Sequence, residues 1–469
     1  MNTLFRVNIN WSVFLGFCIL LIMVFPGLSW YSYAAIIITF YQCLLFFYSV
    51  GTAIPIRYLF GVLMCLQMLL GPSFAYNGLD KFQIGRNTMQ VSQEQYFNYV
   101  IPAVLCFIIG LHITNRRLEG EIIDKQRIAR FVESRPKLPY FLIGIGFIAS
   151  IIAGFFSADL AFVFYLFGDF KYIGAFMLII GGRRLKILPL VLVYGSIIAS
   201  SLGSAMFHDL IIWSIFLSAV LAIKYRPSNI IKIITAVVLI TLSIITQLAK
   251  GDYRSALGEK GQETGLETFT KAYEESQGGD SWIDLKSLAK NNLRINQGYI
   301  ITNIMKTVPD HIPFEHGKEL GLIIESAIMP RILAPNKLNA GDRGIFIKYT
   351  GMQLNRTTSM GLSSIGDGYI NFGVTGGCIF MFFLGLIYSE VLKGFHRFSR
   401  NFPVLLLFTP LVFYYPIRPD CELQTILGHL VKSCFLIFVV FLFWKKYFRT
   451  QYQIAEKDIH PHPLVPSRV

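Results

Sequence analysis

Apolar stretches of 17 or more residues recur along most of this 469-residue chain. At about 1.5 Å per residue, each is long enough to cross a hydrocarbon layer of about 30 Å. A backbone segment without water must satisfy its own N–H and C=O groups, so runs of this length fold as helices. Hydrophobic residues make up 54% of the sequence and charged ones 15%, where soluble proteins carry about 25%. A soluble enzyme is excluded, and the fold class is all-α: a polytopic helical bundle in a membrane. Seven cysteines, six of them inside apolar runs, supply neither a disulfide framework nor the paired spacing of a zinc site.

Bounded by charges and turn residues, about twelve transmembrane helices emerge, at roughly 10–26, 31–48, 57–75, 97–115, 139–156, 170–182, 187–203, 207–223, 230–249, 369–391, 403–416 and 423–444. The sixth and eleventh are short, and Phe155 to Phe167 reads either as part of a span or as a re-entrant piece. Cytoplasmic loops carry the excess of Lys and Arg when orientation is set. With the N- and C-termini cytoplasmic, the inner segments hold 23 basic and 7 acidic residues, and the outer segments 18 and 21. The net charge of +14 is therefore a topology signal and argues against a nucleic-acid partner. Arg116 to Lys137, with Ile122, Ile123, Ile128, Ala129 and Phe131 among charges, predicts an amphipathic helix on the inner surface.

This reading divides the chain into a membrane part at 1–249, a large extracytoplasmic loop at 250–368, a second membrane part at 369–445 and a cytoplasmic tail at 446–469. A loop so much longer than the others is functional or disordered. Gly258 to Ser281, rich in Gly, Glu and Gln, predicts a mobile stretch. Ile300 to Met305 and Leu320 to Leu333 carry apolar residues at helical spacing and predict pieces lying against the bundle or in the interface.

Ionisable groups at or within a membrane are costly and by default functional. Lys250-Gly-Asp252-Tyr253-Arg254 follows the ninth span, and Ser204, His208 and Asp209 lie in the turn between the seventh and eighth. Arg418-Pro-Asp420-Cys-Glu422 precedes the twelfth, and His429 and Lys432 project from one face of it at i,i+3 spacing. The plain alternatives are snorkelling anchors for Lys250 and Arg254, a capping pair for His208 and Asp209, and a structural turn for Arg418 with Asp420. Taken together these cations predict a cavity at the outer mouth of the bundle. A cluster of Arg and Lys without an acidic metal set suits a phosphate or pyrophosphate headgroup. No phosphate-cradling Gly-rich loop supports a nucleotide-driven pump.

Four passages resemble the Wzy-type polymerases of O-antigen and exopolysaccharide repeat units. They are Lys250-Gly-Asp-Tyr-Arg254, Met329-Pro-Arg331-Ile-Leu-Ala-Pro335-Asn-Lys337, Ser363-Ser-Ile-Gly-Asp367-Gly-Tyr369-Ile-Asn371-Phe-Gly373, and the Arg418-Pro-Asp420 turn. Members of that family resemble the C-type membrane glycosyltransferases (GT-C) in architecture. The resemblance implies a bacterial inner membrane protein that moves a growing glycan from undecaprenyl pyrophosphate to a hydroxyl of the next lipid-linked repeat unit. It implies no cofactor and no metal; the partners are the lipid-linked donor and acceptor, membrane lipid, and chain-length regulator and flippase proteins. Where relatives often show Arg near the turn after the seventh span, this chain has His208, and where many carry Glu before the tenth, it has Asp367.

Breaking a sugar C1–phosphate bond leaves an anion and an oxocarbenium-like centre, so fixed cations favour the transition state over the ground state. The residues expected to hold pyrophosphate and substrate are Lys250, Arg254, Arg331, Arg418, Lys432, His429 and Tyr369. The acceptor hydroxyl needs a positioned base, for which Asp367 is the first candidate and His208 the second. Direct attack inverts the anomeric centre. Asp367 otherwise reads as a helix N-cap, and Gly361 to Gly377 as a close-packing stretch. An O-antigen ligase-like transferase uses the same donor, and a flippase for the same lipids suits twelve spans, although no internal repeat is present.

Overall fold

The computed structural model describes residues 9–83, 85–114, 123–156, 158–182, 184–258, 264–277, 288–289, 292–293, 295–329, 337–338, 341–354 and 360–448. Helices dominate these residues, and no β-strand occurs among them. A short α1 (Trp11–Val24) precedes three helices of membrane-crossing length, α2 (Trp30–Ser49), α3 (Ile56–Tyr76) and α4 (Gln93–Ile113). Helix α5 (Lys125–Ser134) is amphipathic. It is followed by α6 (Leu138–Phe155), then α7 (Ala158–Gly168) running into α8 (Phe170–Gly181), then α9 (Ile187–Ser204), α10 (His208–Tyr225) and α11 (Asn229–Gly258). Four short helices come next: α12 (Leu266–Gln277), α13 (Gly298–Thr307), α14 (Lys318–Ile328) and α15 (Arg343–Thr350). The chain closes with α16 (Ser363–Ser399), the short apolar α17 (Pro403–Val412), α18 (Leu423–Phe443) and α19 (Lys445–Phe448).

By length and composition, ten helices among the described residues are able to cross a membrane. The first and eleventh expected spans form α1 and α17, which are shorter. The sixth is longer than expected: α7 and α8 make one apolar segment, Ala161–Gly181, so the stretch around Phe155 to Phe167 feeds into it. Helix α8 is the centre of this part of the bundle, with Tyr172 through Gly181 buried against α6, α5 and α10. On α5, Ile128, Phe131 and Val132 are the buried stripe that docks it there; residues 116–122 of the expected segment lie outside the described ones.

Two helices distant in sequence make the most extensive contact, α4 with α16. Gly110 sits against the Phe382 carbonyl and Gly385 against the Phe107 carbonyl, each too close to admit a Cβ. Membrane helices lack a water-driven force to hold them together, so this backbone approach supplies dispersion contact instead. Helix α16 is not continuous. Gly373 adopts φ 66° and ψ −158°, a conformation open essentially to glycine, and the Phe314 ring would lie 3.2 Å from any Cβ there. The segment from Ser363 to Phe372 is thus a separate short helix set at an angle on the long one.

Helix α11 continues through Gly258, so Lys250 to Arg254 sit on its last turns and not in a loop after it. The stretch expected to be mobile contains α12, which packs through Phe269 on Tyr253 of α11 (5.6 Å) and on Phe207, the N-cap of α10 (5.2 Å). Its apolar positions at helical spacing were outweighed in the sequence by the surrounding polar composition.

Candidate functional site

The turn before α10 and the turn before α18 are about two hundred residues apart in sequence and meet in the fold. His208 and Asp209 open α10, whose N-cap Phe207 gives no side-chain hydrogen bond. They are not a capping pair, because both lie inside the first turn. The His208 Nε2 is 2.6 Å from an Asp209 carboxylate oxygen, and the Tyr414 hydroxyl donates to that same oxygen. Arg418 pairs with Asp420 at 3.4 Å, lies 5.5 Å over the Tyr415 ring, and acts electrostatically on Asp209. From the α7–α8 junction come Asp169 and Lys171, both within electrostatic reach of Asp209. Lys171 donates to the Ser150 hydroxyl at 3.2 Å, and its ammonium lies 5.3 Å from the Tyr172 ring.

Below this set, His429 is 3% exposed. Its Nε2–H donates to the Leu411 carbonyl at 2.7 Å, while Nδ1 has no partner among the described residues. The ring packs on Tyr415 at 4.9 Å and on Phe162 at 5.9 Å. Lys432 lies 4.5 Å over the same Phe162 ring, so the two residues do share a face of α18. Burial pushes the Cys421 thiol up to about 12, which keeps it protonated and unsuited as a nucleophile.

Asp367 sits in the second turn of α16, four residues past Ser363, and is 4% exposed. It does not cap its own helix. One side of its carboxylate accepts from the backbone N–H of Leu423, the first residue of α18, while Oδ2 has no partner among the described residues. Asp367 lines a cavity of about 30 Å³ together with Glu319, Asp342 and Glu422 and with apolar Ile323, Phe346 and Leu362. That volume is on the order of what one water requires. Glu422 accepts from the Gly341 N–H at 2.6 Å and from the Thr425 hydroxyl, and Glu319 accepts from the Tyr349 hydroxyl at 3.3 Å. The contact between the two motifs depends on Gly361: a Cβ there would stand 2.6 Å from the Glu422 backbone nitrogen and 2.8 Å from the Asp420 carbonyl oxygen.

Of the expected cations, Arg418 joins the polar cluster, and Lys432 lies beside His429 over the Phe162 ring. Tyr253, between Lys250 and Arg254, packs 6.2 Å from Phe207 and donates to the Leu202 carbonyl at 3.0 Å, which anchors that segment beside the His208 turn. Arg254 itself is exposed and Lys250 half-buried. Arg331 lies outside the described residues. Tyr369 packs on Tyr99 at 5.1 Å and on Phe314 at 5.8 Å. The cations do not share one cavity with Asp367: the space beside it is lined by carboxylates, with no Lys or Arg among the described lining.

Sequence reasoning passed over Asp169, Lys171, Tyr414 and Glu319, and named Glu422 only as part of the Arg418 turn. The sixth span was expected to begin at residue 170, which left Asp169 just outside it and Lys171 at its edge. In the fold they lie within Ala161–Gly181, where two ionisable residues in an apolar run were the available signal.

The chain belongs to the family described as a domain of unknown function (DUF8712), whose model matches residues 73–398. The match contains Lys171, Asp209, Lys250, Arg254 and Asp367 and ends before the Arg418 turn and α18. No curated protein and no solved structure matches the chain.

Proposed function

We propose that this member of the DUF8712 family is a membrane glycosyltransferase that polymerises a lipid-linked glycan. In this reading it sits in a bacterial inner membrane with twelve spans, both termini cytoplasmic, and the segment carrying α12 to α15 outside. The observation that carries the reading is Asp367: a buried carboxylate with one oxygen tied to Leu423, five residues along the chain from Arg418, and the other unpartnered among the described residues at a cavity. A hydroxyl donor entering that space would complete the hydrogen bonding that a buried carboxylate otherwise lacks.

The chemistry follows from these positions. The acceptor hydroxyl oxygen bonds to the anomeric carbon of the donor glycan as the C1–O bond to pyrophosphate breaks. The bonding pair leaves with the pyrophosphate, and the hydroxyl proton passes to Asp367. Arg418 and Lys171, which lie outside the cavity beside Asp367, would meet the pyrophosphate side of a donor spanning both places and offset the charge growing on the leaving group, with His208 and Asp209 holding the turn that positions Arg418. The anomeric centre inverts.

Deleting the gene in its host and analysing surface and lipid-linked glycans tests this. Loss of long polymer with accumulation of single lipid-linked units is expected, and Asp367→Asn at normal protein level reproduces it. Long polymer retained on its carrier would point to a ligase. Unchanged glycans would overturn the reading. The intramembrane set of Asp169, Lys171 and Asp209 favours a second reading, an ion-coupled flippase for the same lipids. In that case single units accumulate on the cytoplasmic leaflet, inaccessible to an external glycosidase.

A further inference from the structure

A second site lies at the other end of α16. Between its last turns, the connection to α17 and the final turns of α18 runs an apolar groove of about 330 Å³, walled by Phe395, Phe398, Phe402, Phe438 and Leu442. That volume falls in the range of small-molecule sites, about 300–1,000 Å³. Phe398 and Phe438 are each 62% exposed and Leu442 56%, so the groove opens sideways to whatever surrounds the helices. Gly394 forms part of the wall, and a Cβ there would meet nothing within 4 Å. The space is therefore real room beside a backbone and not a crevice filled by a neighbouring turn.

Among the described residues, the one charged residue in the lining is Lys445, at the point where α18 gives way to α19. The same end of α16 carries His396 and Arg397 in its last turn, with Lys393 just before and Arg400 just after. Arg397 and Arg400 complement the dipole at this helix end, Lys393 is paired with Glu390 at 2.9 Å, and Lys445 puts a positive charge at the mouth of the apolar groove. Gly394 stands 21 residues beyond the Gly373 kink, about 30 Å along the helix at 1.5 Å per residue. That is the thickness of a hydrocarbon layer, so the groove and Asp367 lie toward opposite faces of the membrane.

We propose that this groove is a binding site for one acyl chain of an anionic phospholipid, with Lys445 meeting its phosphate. The apolar walls take the chain, their lateral opening lets it enter from the bilayer, and the basic rim selects the headgroup. The site stands independently of the glycan reading, since no residue of it belongs to the Asp367 or Arg418 clusters.

Native mass spectrometry of the full-length protein in detergent, titrated with phosphatidylglycerol or phosphatidylcholine of equal chain length, tests it. One phosphatidylglycerol is expected to remain bound at concentrations where phosphatidylcholine does not. Lys445→Gln weakens the phosphatidylglycerol adduct about fivefold, the factor that one basic residue supplies near an anionic surface. Gly394→Leu, whose Cβ has open space, puts a side chain into the groove and removes the adduct, while Gly203→Leu, at another open helix position, leaves it. Equal retention of the two lipids, or an adduct that survives Gly394→Leu, overturns the proposal.

Discussion

Gly361→Ala is the most economical perturbation of the candidate site, because it adds one carbon at the point where the Asp367 helix meets the Arg418 turn. The new Cβ would lie 2.6 Å from the Glu422 nitrogen, 2.8 Å from the Asp420 carbonyl oxygen and 3.0 Å from the Cys421 carbonyl carbon, where ordinary contact begins at 3.4 Å. All three are backbone atoms, so no side chain can swing aside. The turn must retreat by about 0.8 Å, and overpacking of this kind costs about 1–3 kcal/mol. The retreat acts on Glu422 and Leu423, which hold the cavity wall and the N–H bound to Asp367. A misplacement near 1 Å can cost about 100-fold in rate. The expected result is a lowered melting temperature in detergent and a loss of long polymer out of proportion to the loss of protein. Gly203→Ala serves as the control: it has nothing within 4 Å, lies inside α9, and is expected to be neutral or stabilising. If Gly361→Ala matches the parent in both melting and glycan profile, the two motifs do not meet as described and the site assignment fails.

Other expectations can be checked in parallel. Tyr414→Phe removes the hydroxyl that donates to Asp209, and a hydrogen bond to a charged group is worth about 1.5–3 kcal/mol, so a lower melting temperature is expected; an unchanged melt would show that the bond carries no weight. Lys171→Met is expected to abolish polymer at normal protein level, with Lys171→Arg recovering part, and full polymer from the Met variant would remove Lys171 from the mechanism. Hydrogen bonds from Tyr349 and Lys348 hold the Glu315 carboxyl below its usual range. The stability this group contributes is therefore present above the unfolded carboxyl value of about 4.3 and is lost as pH falls through the lower folded value. Melting curves of Glu315→Gln and the parent are expected to differ at pH 7 and to converge in acid; a difference that persists unchanged at low pH would refute the linkage.

What the sequence determined by itself is local in origin. Hydropathy over about 20 residues is a property of one segment, so the apolar cores of the helices from Trp30 onward could be placed without knowing their neighbours, although the ends of the sixth, ninth and tenth expected spans fell six to nine residues short. The stripe of Ile128 and Phe131 predicted α5, and the apolar spacing in Ile300 to Met305 and after Leu320 predicted α13 and α14, for the same reason. Even the motifs were visible as residue types: an aspartate at 367, an arginine at 418, a histidine and lysine on one face of α18.

Tertiary structure decided what those residues are for. Whether Asp367 caps its own helix or another is invisible in the order of residues, because Leu423 is distant along the chain and reaches it only through the close approach at Gly361. Asp209 acquires Tyr414 by the same kind of long-range closure, and Asp169 and Lys171 join them only because α7 and α8 run together as one segment. The spread of the expected cations has a like cause. Charges at the ends of different helices look equivalent in sequence, but helix packing turned Arg418 inward and left Arg254 exposed. Pattern fixes which face of a helix is apolar; only packing fixes which other face it meets, and a site is made of those meetings.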